Sequence, residues 1–530
     1  MMRLSLICFF LAIPSATFAQ APSISFQNLI GGSALDKGGN ILEVDNGDFI
    51  FAGLTYSSNG TILNHGSSDI WLMRLSNAGH IIWQKCLGGS LRDEIGSNGI
   101  LKATNDGGFI IGGTTYSNDG DVVDGPDSSS DCWVIKVDAA GTILWQKTFG
   151  GSGAESINSI SQTNDGGYIF VGTTNSPDGD VSGLHVSGPW GDAWIVKLDN
   201  SGNIVWQKTI GGTQQEFGNV VFQTTDGNFL VGGSTGSNDG DIIGQHNTGG
   251  GSHDVFLAKV SAVNGDIIWT KCIGGTGSDH LGSIIGNADG TFMLGVTNGS
   301  MDGDFLGLPR NEDYCLLKLN STGNIIWKKN YGGSRLDLIS SVVKAAEGGY
   351  LLAGSSYSDD GDKHFNYSQF NSSDLWFVKV SDSGALQWQK TLGGSGNDFG
   401  PFVHQCSDTG YIVNAFTLSD NHDVTMPSNG YFDIWIFKLM GFPTGIQLME
   451  ITPPAKVFPN PTNGSLFITA KENLTNSNLH LSNSLGQTLA CNVQHLGHNT
   501  IEISGIPQGI HFLTLRMGHR SQTLRVVVTH

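Results

Sequence analysis

The chain has 530 residues, of which 76 are glycine, about twice the usual share, and only 14% are charged. Its 47 acidic and 27 basic residues give a net charge of −20, which argues against a protein that binds nucleic-acid phosphates. A hydrophobic fraction of 38% is too high for a disordered chain. The few helix formers and the many Gly-Asp and Asn-Gly steps predict an all-β protein rich in turns.

The N-terminus has the pattern of a secretory signal peptide, which we place at residues 1–19. Arg3 supplies a short positive region, residues 4–13 are apolar, and Thr17-Phe18-Ala19 forms the exit before Gln20. The apolar run is too short to span a membrane, and no other run in the sequence reaches membrane length. The sequence therefore predicts an exported protein with no transmembrane segment.

A unit of about sixty residues then repeats seven times between residues 20 and 440. Each unit starts with a Gly-Gly step that is followed by Ser or Thr, two variable residues and an acid. Successive steps are 57, 62, 61, 63, 58 and 61 residues apart, and they begin at Gly31, Gly88, Gly150, Gly211, Gly274, Gly332 and Gly393. Self-similarity at a fixed period is typical of solenoids and propellers.

Each unit contains four segments with strand character. The second segment has an aromatic residue at one fixed place: Phe49, Phe109, Tyr168, Phe229, Phe292, Tyr350 and Tyr411. The third opens with an Asp-x-Trp pattern in five units, and the fourth carries Trp83, Trp145, Trp206, Trp269, Trp327 and Trp388. Because one such unit cannot bury both of its faces alone, we expect the aromatic positions to pack between neighbouring units.

The two ends of this array predict how it closes. The seventh unit stops after its third segment near Met440, and residues 24–32 align with residues 143–151, which places Phe26 where Trp145 stands. The N-terminus therefore supplies the missing fourth strand of the last unit and removes an exposed sheet edge. Four antiparallel strands repeated seven times predict a seven-bladed β-propeller over residues 20–440.

The repeat resembles the bacterial β-propeller repeat of exported surface proteins. Its turn and Trp strand, as in residues 198–206, are also similar to the quinoprotein-type repeat, which ends in an Asp, a Gly and a Trp at similar spacing. Both resemblances imply a fold rather than a chemistry.

Two sets of connections carry carboxylates, and antiparallel order places both sets on one face, which we call the loop face. One set is the acid after each Gly-Gly step. The other is an Asp-Gly-Asp sequence between the second and third strands: Asp119 and Asp121, Asp178 and Asp180, Asp239 and Asp241, Asp302 and Asp304, and Asp360 and Asp362. Clustered oxygen ligands favour Ca²⁺, the candidate cofactor, but Asp beside Gly also caps turn amides. Since these loops lack the full spacing of a calcium-binding loop, capping is the favoured interpretation.

The loop face also carries the candidate ligand-binding residues. Tyr56, Tyr116 and Tyr357 share one loop position, while His185 and Trp190 lie in an irregular insertion at 181–191 and His246 lies in another at 241–253. Aromatic residues on a polar rim stack on sugars or contact proteins, although loop decoration without function fits equally well. The predicted ligand is a glycan or a surface protein, and not nucleic acid.

The composition changes after residue 440. Residues 441–455 contain Pro443, Pro453 and Pro454 and are predicted to be a linker, and residues 456–530 lack the sixty-residue pattern. Short strand candidates at 466–469, 479–482, 488–493, 500–503, 511–516 and 523–529 predict a small β-sandwich there.

These C-terminal residues carry a more specific resemblance. The motif residues are Phe458, Pro459, Asn460, Pro461 and Gly464, followed by Gly486 in Leu-Gly-Gln and Gly509 in Pro-Gln-Gly-Ile. The segment resembles the type A C-terminal sorting domain of the type IX secretion system, a family of Bacteroidota. The resemblance implies a partner, the type IX secretion machinery, which moves the cargo across the outer membrane. It also implies that the domain is usually cleaved and the cargo released or attached to the surface.

No catalytic constellation stands out in the sequence. A Gly-x-Ser-x-Gly string at residues 232–236 lies in a repeated second strand, and no helix follows it as a nucleophile elbow requires. We therefore predict a non-catalytic binding or adhesion protein. The alternative is an extracellular enzyme, a hydrolase or a quinoprotein-like enzyme, with its site at the mouth of the central channel.

Overall fold

The computed structural model describes residues 21–441 and 455–529, except for gaps at 45, 60–61, 97–99, 127–128, 186–189, 247–250, 310–311, 364, 368–371, 428–430, 459–461, 471–478, 484–486, 498–499 and 518–519. The predicted signal peptide and nearly all of the predicted linker lie outside these residues. The chain divides into two compact units between Phe442 and Pro443. No helix in the described part of the chain is long and apolar enough to cross a membrane.

The first unit is all-β and propeller-like. In the residues that the structure describes, its strands form seven antiparallel sheets, numbered here in chain order. Sheet 1 contains β2 (Asp36–Glu43), β3 (Phe49–Thr55), β4 (Asp69–Leu75) and β5 (Ile81–Leu87); sheet 2 contains β6 (Asp93–Ile95), β7 (Leu101–Ala103), β8 (Phe109–Thr115), β9 (Asp131–Val137) and β10 (Ile143–Phe149). Sheet 3 contains β11 (Glu155–Gln162), β12 (Tyr168–Thr174), β13 (Asp192–Leu198) and β14 (Ile204–Ile210); sheet 4 contains β15 (Glu216–Gln223), β16 (Phe229–Thr235), β17 (Asp254–Val260) and β18 (Ile267–Ile273).

The remaining sheets of this unit follow the same order. Sheet 5 contains β19 (Asp279–Gly286), β20 (Phe292–Asn298), β21 (Asp313–Leu319) and β22 (Ile325–Tyr331), with a short 3-10 turn at Gly303–Phe305. Sheet 6 contains β23 (Asp337–Lys344), β24 (Tyr350–Ser356), β25 (Asp374–Val380) and β26 (Leu386–Leu392). Sheet 7 contains β27 (Asp398–Gln405), β28 (Tyr411–Thr417), β29 (Asp433–Leu439) and the N-terminal strand β1 (Ile24–Ile30).

The sheets are joined in sequence by one repeated backbone hydrogen bond. The acid that opens each first strand donates its N–H to the residue just before the third strand of the preceding sheet, at 2.7–3.0 Å from N to O. Asp36 makes this bond to Phe432, which links sheet 1 to sheet 7. The sheet-to-sheet contacts therefore run from sheet 1 to sheet 7 and return to sheet 1. The first strands of all seven sheets line one cavity of about 370 Å³, which we call the central channel.

The tryptophans of the third strands fill the core of five sheets, and Phe256 and Cys315 take their place in sheets 4 and 5. Trp71, Trp133, Trp194, Trp376 and Trp435 are fully buried, as are the aromatic residues that open the second strands. Each of these five indoles donates its Nε1–H to a glutamine of the fourth strand, at 2.7–3.2 Å. For Trp435 the acceptor is Gln27 of β1, so β1 takes the place of a fourth strand in sheet 7, as the sequence predicts.

The aromatic residues of the fourth strands pack on the next sheet. The tryptophans of sheets 1 to 5 lie against the glycine of the turn between the third and fourth strands of the next sheet, so that a Cβ on Gly202 would come within 2.9 Å of the Trp145 ring. Phe26 of β1 lies against Gly79 of sheet 1 in the same manner. The predicted packing of aromatic residues between neighbouring repeats is therefore present, including between sheet 7 and sheet 1, where the two ends of the array join.

The first strand of sheet 2 differs from the others. Its residues divide into β6 and β7, both paired with β8, where the other sheets have one strand of eight residues with a bulge. Of the residues between the two pieces, 96–100, the structure describes Gly96 and Ile100, and 97–99 lie outside the described part of the chain.

The described residues of the second unit form two packed sheets. One contains β30 (Ala455–Phe458), β31 (Ser465–Ala470), β33 (Asn492–Gly497) and β34 (Thr500–Ser504), and the other contains β32 (Leu479–Asn483), β35 (Gly509–Met517) and β36 (Arg520–Val528). Leu466 and Ile501 from the first sheet share a buried cluster with Leu513 and Val526 from the second. The predicted strand at 488–493 was wrong in position, because only its last two residues lie in β33, and β30 was not predicted.

Candidate functional site

Seven buried carboxylates hold the Gly-Gly loops of the loop face. Each first strand begins with one of them: Asp36, Asp93, Glu155, Glu216, Asp279, Asp337 and Asp398. Each accepts the N–H of the second glycine of its loop, at 2.7–3.0 Å. Burial raises the pKa of Asp279 and of Asp398 to about 6. These acids stabilise the loops and are not available to a ligand.

The Asp-Gly-Asp residues also accept backbone amides. Asp119, Asp178, Asp239, Asp302 and Asp360 accept the N–H of the Ser or Thr that follows the Gly-Gly step, each at 2.7 Å. Asp121, Asp180, Asp304 and Asp362 accept the N–H of the first glycine, each at 3.2 Å. This geometry is turn capping. Within the described ranges no three His, Cys, Asp or Glu side chains are grouped so that they could hold a metal ion.

The two predicted histidines lie between carboxylates of neighbouring sheets. His185 contacts Asp192 of sheet 3 through Nδ1 at 2.7 Å and Asp241 of sheet 4 through Nε2 at 3.3 Å. His246 contacts Asp254 of sheet 4 at 2.9 Å and Asp304 of sheet 5 at 3.7 Å in the same way. Both ring nitrogens of each histidine face carboxylates, so these side chains connect neighbouring sheets.

Two of the predicted tyrosines, Tyr56 and Tyr116, are linked through other side chains at the junction of sheets 1 and 2. The Tyr56 hydroxyl donates to Glu94 at 3.3 Å, and Glu94 also forms an ion pair with Arg92. The Arg92 guanidinium lies 5.9 Å from the ring centre of Tyr116. Tyr116 is 37% exposed, so one side of its ring faces solvent. The four side chains form a connected polar and aromatic cluster on the loop face.

This cluster borders a cleft of about 370 Å³, which we call the tyrosine cleft. Its lining includes Glu94 and Tyr116 of sheet 2, Asn158 of sheet 3, and Gln215 and Phe217 at the start of sheet 4. Phe217 is 39% exposed. A concave surface with two exposed aromatic rings, a carboxylate and two amides, beside the guanidinium that pairs with Glu94, has the donors, acceptors and flat apolar faces that bind a sugar ring.

The other predicted ligand-binding residues lie elsewhere. Tyr357 occupies the equivalent loop position of sheet 6 and does not line the tyrosine cleft. Trp190 is 48% exposed and precedes Gly191, which does line it. Sequence reasoning missed Arg92, Glu94 and Phe217. Glu94 and Phe217 follow the repeated acid, at a position that varies from unit to unit, with six residue types among its seven occupants: Lys37, Glu94, Ser156, Phe217, His280, Leu338 and Phe399. Variation beside an invariant repeat position is the signal that could have found them.

The motif residues of the second unit are described in part. Phe458 is 48% exposed, with its ring 5.9 Å from that of Phe467, and Gly464 and Gly509 have positive φ angles of 113° and 141°. Pro459, Asn460, Pro461 and Gly486 lie outside the described residues. Glycine at 464 permits a backbone conformation that other residues rarely adopt.

Comparison with known proteins identifies the second unit. Residues 456–529 match the family described as the secretion system C-terminal sorting domain. No curated protein matches the chain. Among solved structures, an ulvan lyase, described as a polysaccharide lyase, is 12% identical with a TM-score of 0.46 over 78% of this chain and 96% of that one. A protein of unknown function from Dyadobacter fermentans is 8% identical with a TM-score of 0.42 over 80% of this chain and 100% of that one.

Proposed function

We propose that this chain, which carries a type IX secretion system sorting domain at residues 456–529, is an exported propeller that binds a neutral glycan. Sheets 1 to 7 are its seven blades, and β1 closes the last one. The sorting domain delivers the propeller to the cell surface or the medium, and binding there occurs without catalysis.

The tyrosine cleft carries this proposal. Tyr116 and Phe217 are exposed rings on the walls of one cavity, and such rings stack on the apolar faces of sugars. Arg92 and Glu94 hold each other through an ion pair beside the cavity. A fixed donor and acceptor of this kind are suited to neighbouring sugar hydroxyls.

Charge favours a neutral glycan over an acidic one. The chain has a net charge of −20, and the one arginine of the cluster is already paired with Glu94. A uronate or sulfate group would approach Glu94 and a negatively charged surface, which slows association and weakens binding. We therefore expect neutral oligosaccharides to bind more tightly than acidic ones of the same length.

A glycan array followed by calorimetry on the purified full chain tests the proposal. Tyr116→Ala removes an exposed stacking surface and is expected to weaken binding of the best neutral oligosaccharide about ten-fold. Tyr357→Ala is the matched control, because Tyr357 has the same loop position in sheet 6 and lies away from the cleft.

The proposal fails if no neutral oligosaccharide binds, or if the two tyrosine substitutions weaken binding equally. Chromatography of the sugar after the binding experiment provides a second readout. Shortened or unsaturated products would support an extracellular enzyme instead of a binding protein.

A further inference from the structure

The central channel contains a second set of polar groups, separate from the tyrosine cleft. One position near the end of each first strand faces the second strand in the same register in all seven sheets. Its occupants are Leu42, Lys102, Ser161, Phe222, Ile285, Val343 and His404, and all of them line the channel. This register lies about 15–20 Å along the strands from the buried acids of the loop face.

Two of the seven occupants are basic, although the fold does not require it. The other sheets place apolar side chains or a serine at this register, so a lysine and a histidine are departures from the repeat. Lys102 lies in sheet 2 and His404 in sheet 7, on either side of Leu42 in sheet 1. Repeat symmetry explains neither basic residue.

The Lys102 ammonium has no anionic partner and donates no hydrogen bond among the described residues. Burial lowers the pKa of Lys102, and no nearby carboxylate opposes that effect. Burial also lowers the pKa of His404. The charge of Glu43 raises this pKa, whereas the charge of Lys102 lowers it. Glu43 already accepts the N–H and the hydroxyl of Ser407, at 2.6 and 3.1 Å. The Lys102 side chain is partly exposed and lines the channel, so an anion bound in the channel would supply the partner that its ammonium lacks.

We propose that the central channel binds a small organic carboxylate through Lys102 and His404. The ammonium of Lys102 pairs with the carboxylate, and the imidazole of His404 donates a hydrogen bond to it. Phe222, Ile285 and Val343, at the same register, contact the apolar body of the ligand. This apolar wall favours an organic acid over an inorganic anion. The proposal does not depend on glycan binding at the tyrosine cleft.

Calorimetric titration of the full chain with sodium benzoate, sodium acetate and sodium phosphate at constant ionic strength tests this proposal. We expect one saturable benzoate site per chain. Because a charge-assisted hydrogen bond is lost, Lys102→Met is expected to bind benzoate about ten-fold or more weakly. Lys102→Arg, which keeps the charge, is expected to retain most of the affinity. Lys344→Met is the matched control, since Lys344 is exposed and next to this register but does not line the channel.

Thermal unfolding of each variant without ligand shows whether it is folded, and Lys102→Met is expected to melt at or above the temperature of the unsubstituted chain. Three results would overturn the proposal. They are equal benzoate affinity in Lys102→Met and the unsubstituted chain, tighter binding of phosphate than of benzoate, and the lack of any saturable binding by the unsubstituted chain.

Discussion

Acidic residues are numerous in this chain, yet most of the repeated ones are engaged in holding loops. Asp398 is a good example: it is buried and accepts hydrogen bonds from Thr417, Ser419 and the Gly394 amide. Such a carboxylate is built into the structure wherever the repeat recurs. The residues that we propose to bind ligands are instead ones that depart from the repeat, such as Arg92 and Lys102.

The buried acids predict an unusual pH dependence of stability. Burial raises the pKa of Asp398 to about 6, whereas an Asp in the unfolded chain titrates near 4. The folded chain therefore binds more protons than the unfolded chain between pH 4 and 6. The contribution of Asp398 to the free energy of unfolding should accordingly rise as the pH falls through this window.

Urea unfolding at pH 5 and pH 7.5 checks this prediction. Asp398→Asn cannot titrate, so the gain in stability between pH 7.5 and pH 5 should be smaller in this variant than in the unsubstituted chain. Asp106→Asn serves as the control, because a hydrogen bond from Thr104 lowers the pKa of Asp106 to about 2, below the window. Equal gains in the unsubstituted chain and Asp398→Asn would show that Asp398 does not titrate as described.

The strands and turns follow closely from the repeat, because seven copies of one pattern reveal which positions are fixed. The aromatic, tryptophan and Gly-turn positions were all predicted, and each has a packing role in the structure. The divided first strand of sheet 2 was not predicted, because it is a departure confined to one copy. In the second unit no repeat was available, and the strand at 488–493 was misplaced for that reason.

The contact between a fourth-strand aromatic residue and the next Gly turn is expected to be sensitive to one methyl group. Gly202 has a φ of 80°, and a Cβ there would lie 2.9 Å from the Trp145 ring. Gly227 has a φ of 85°, with nothing within 4 Å of the same point. Both alanine variants bear left-handed backbone strain of about 1 to 2 kcal/mol. Gly202→Ala should lose roughly 1 to 3 kcal/mol more, because the ring must also move.

Denaturant unfolding of Gly202→Ala and Gly227→Ala measures this difference directly. If the two variants lose the same free energy of unfolding, the aromatic residue does not pack on the turn tightly enough to join the sheets.

The candidate sites could be predicted from the sequence only in part. The shared loop position of Tyr56 and Tyr116 was visible, but the link between them through Arg92 and Glu94 depends on how sheets 1 and 2 face each other. His185 and His246 were interpreted as ligand-facing because the sequence does not show that carboxylates of adjacent sheets enclose them. Lys102 went unnoticed because its repeat position is defined only once β7 is placed against β8.

Closure of the seven sheets through β1 is the central claim, since the first strands of all seven sheets line the central channel. Hydrogen exchange of the full chain, read by mass spectrometry, tests this claim most directly. The amides of residues 24–30 should exchange as slowly as those of 204–210, the fourth strand of sheet 3, because both strands pair with a buried third strand. Exchange of residues 24–30 within seconds, as in an unpaired chain terminus, would contradict the account.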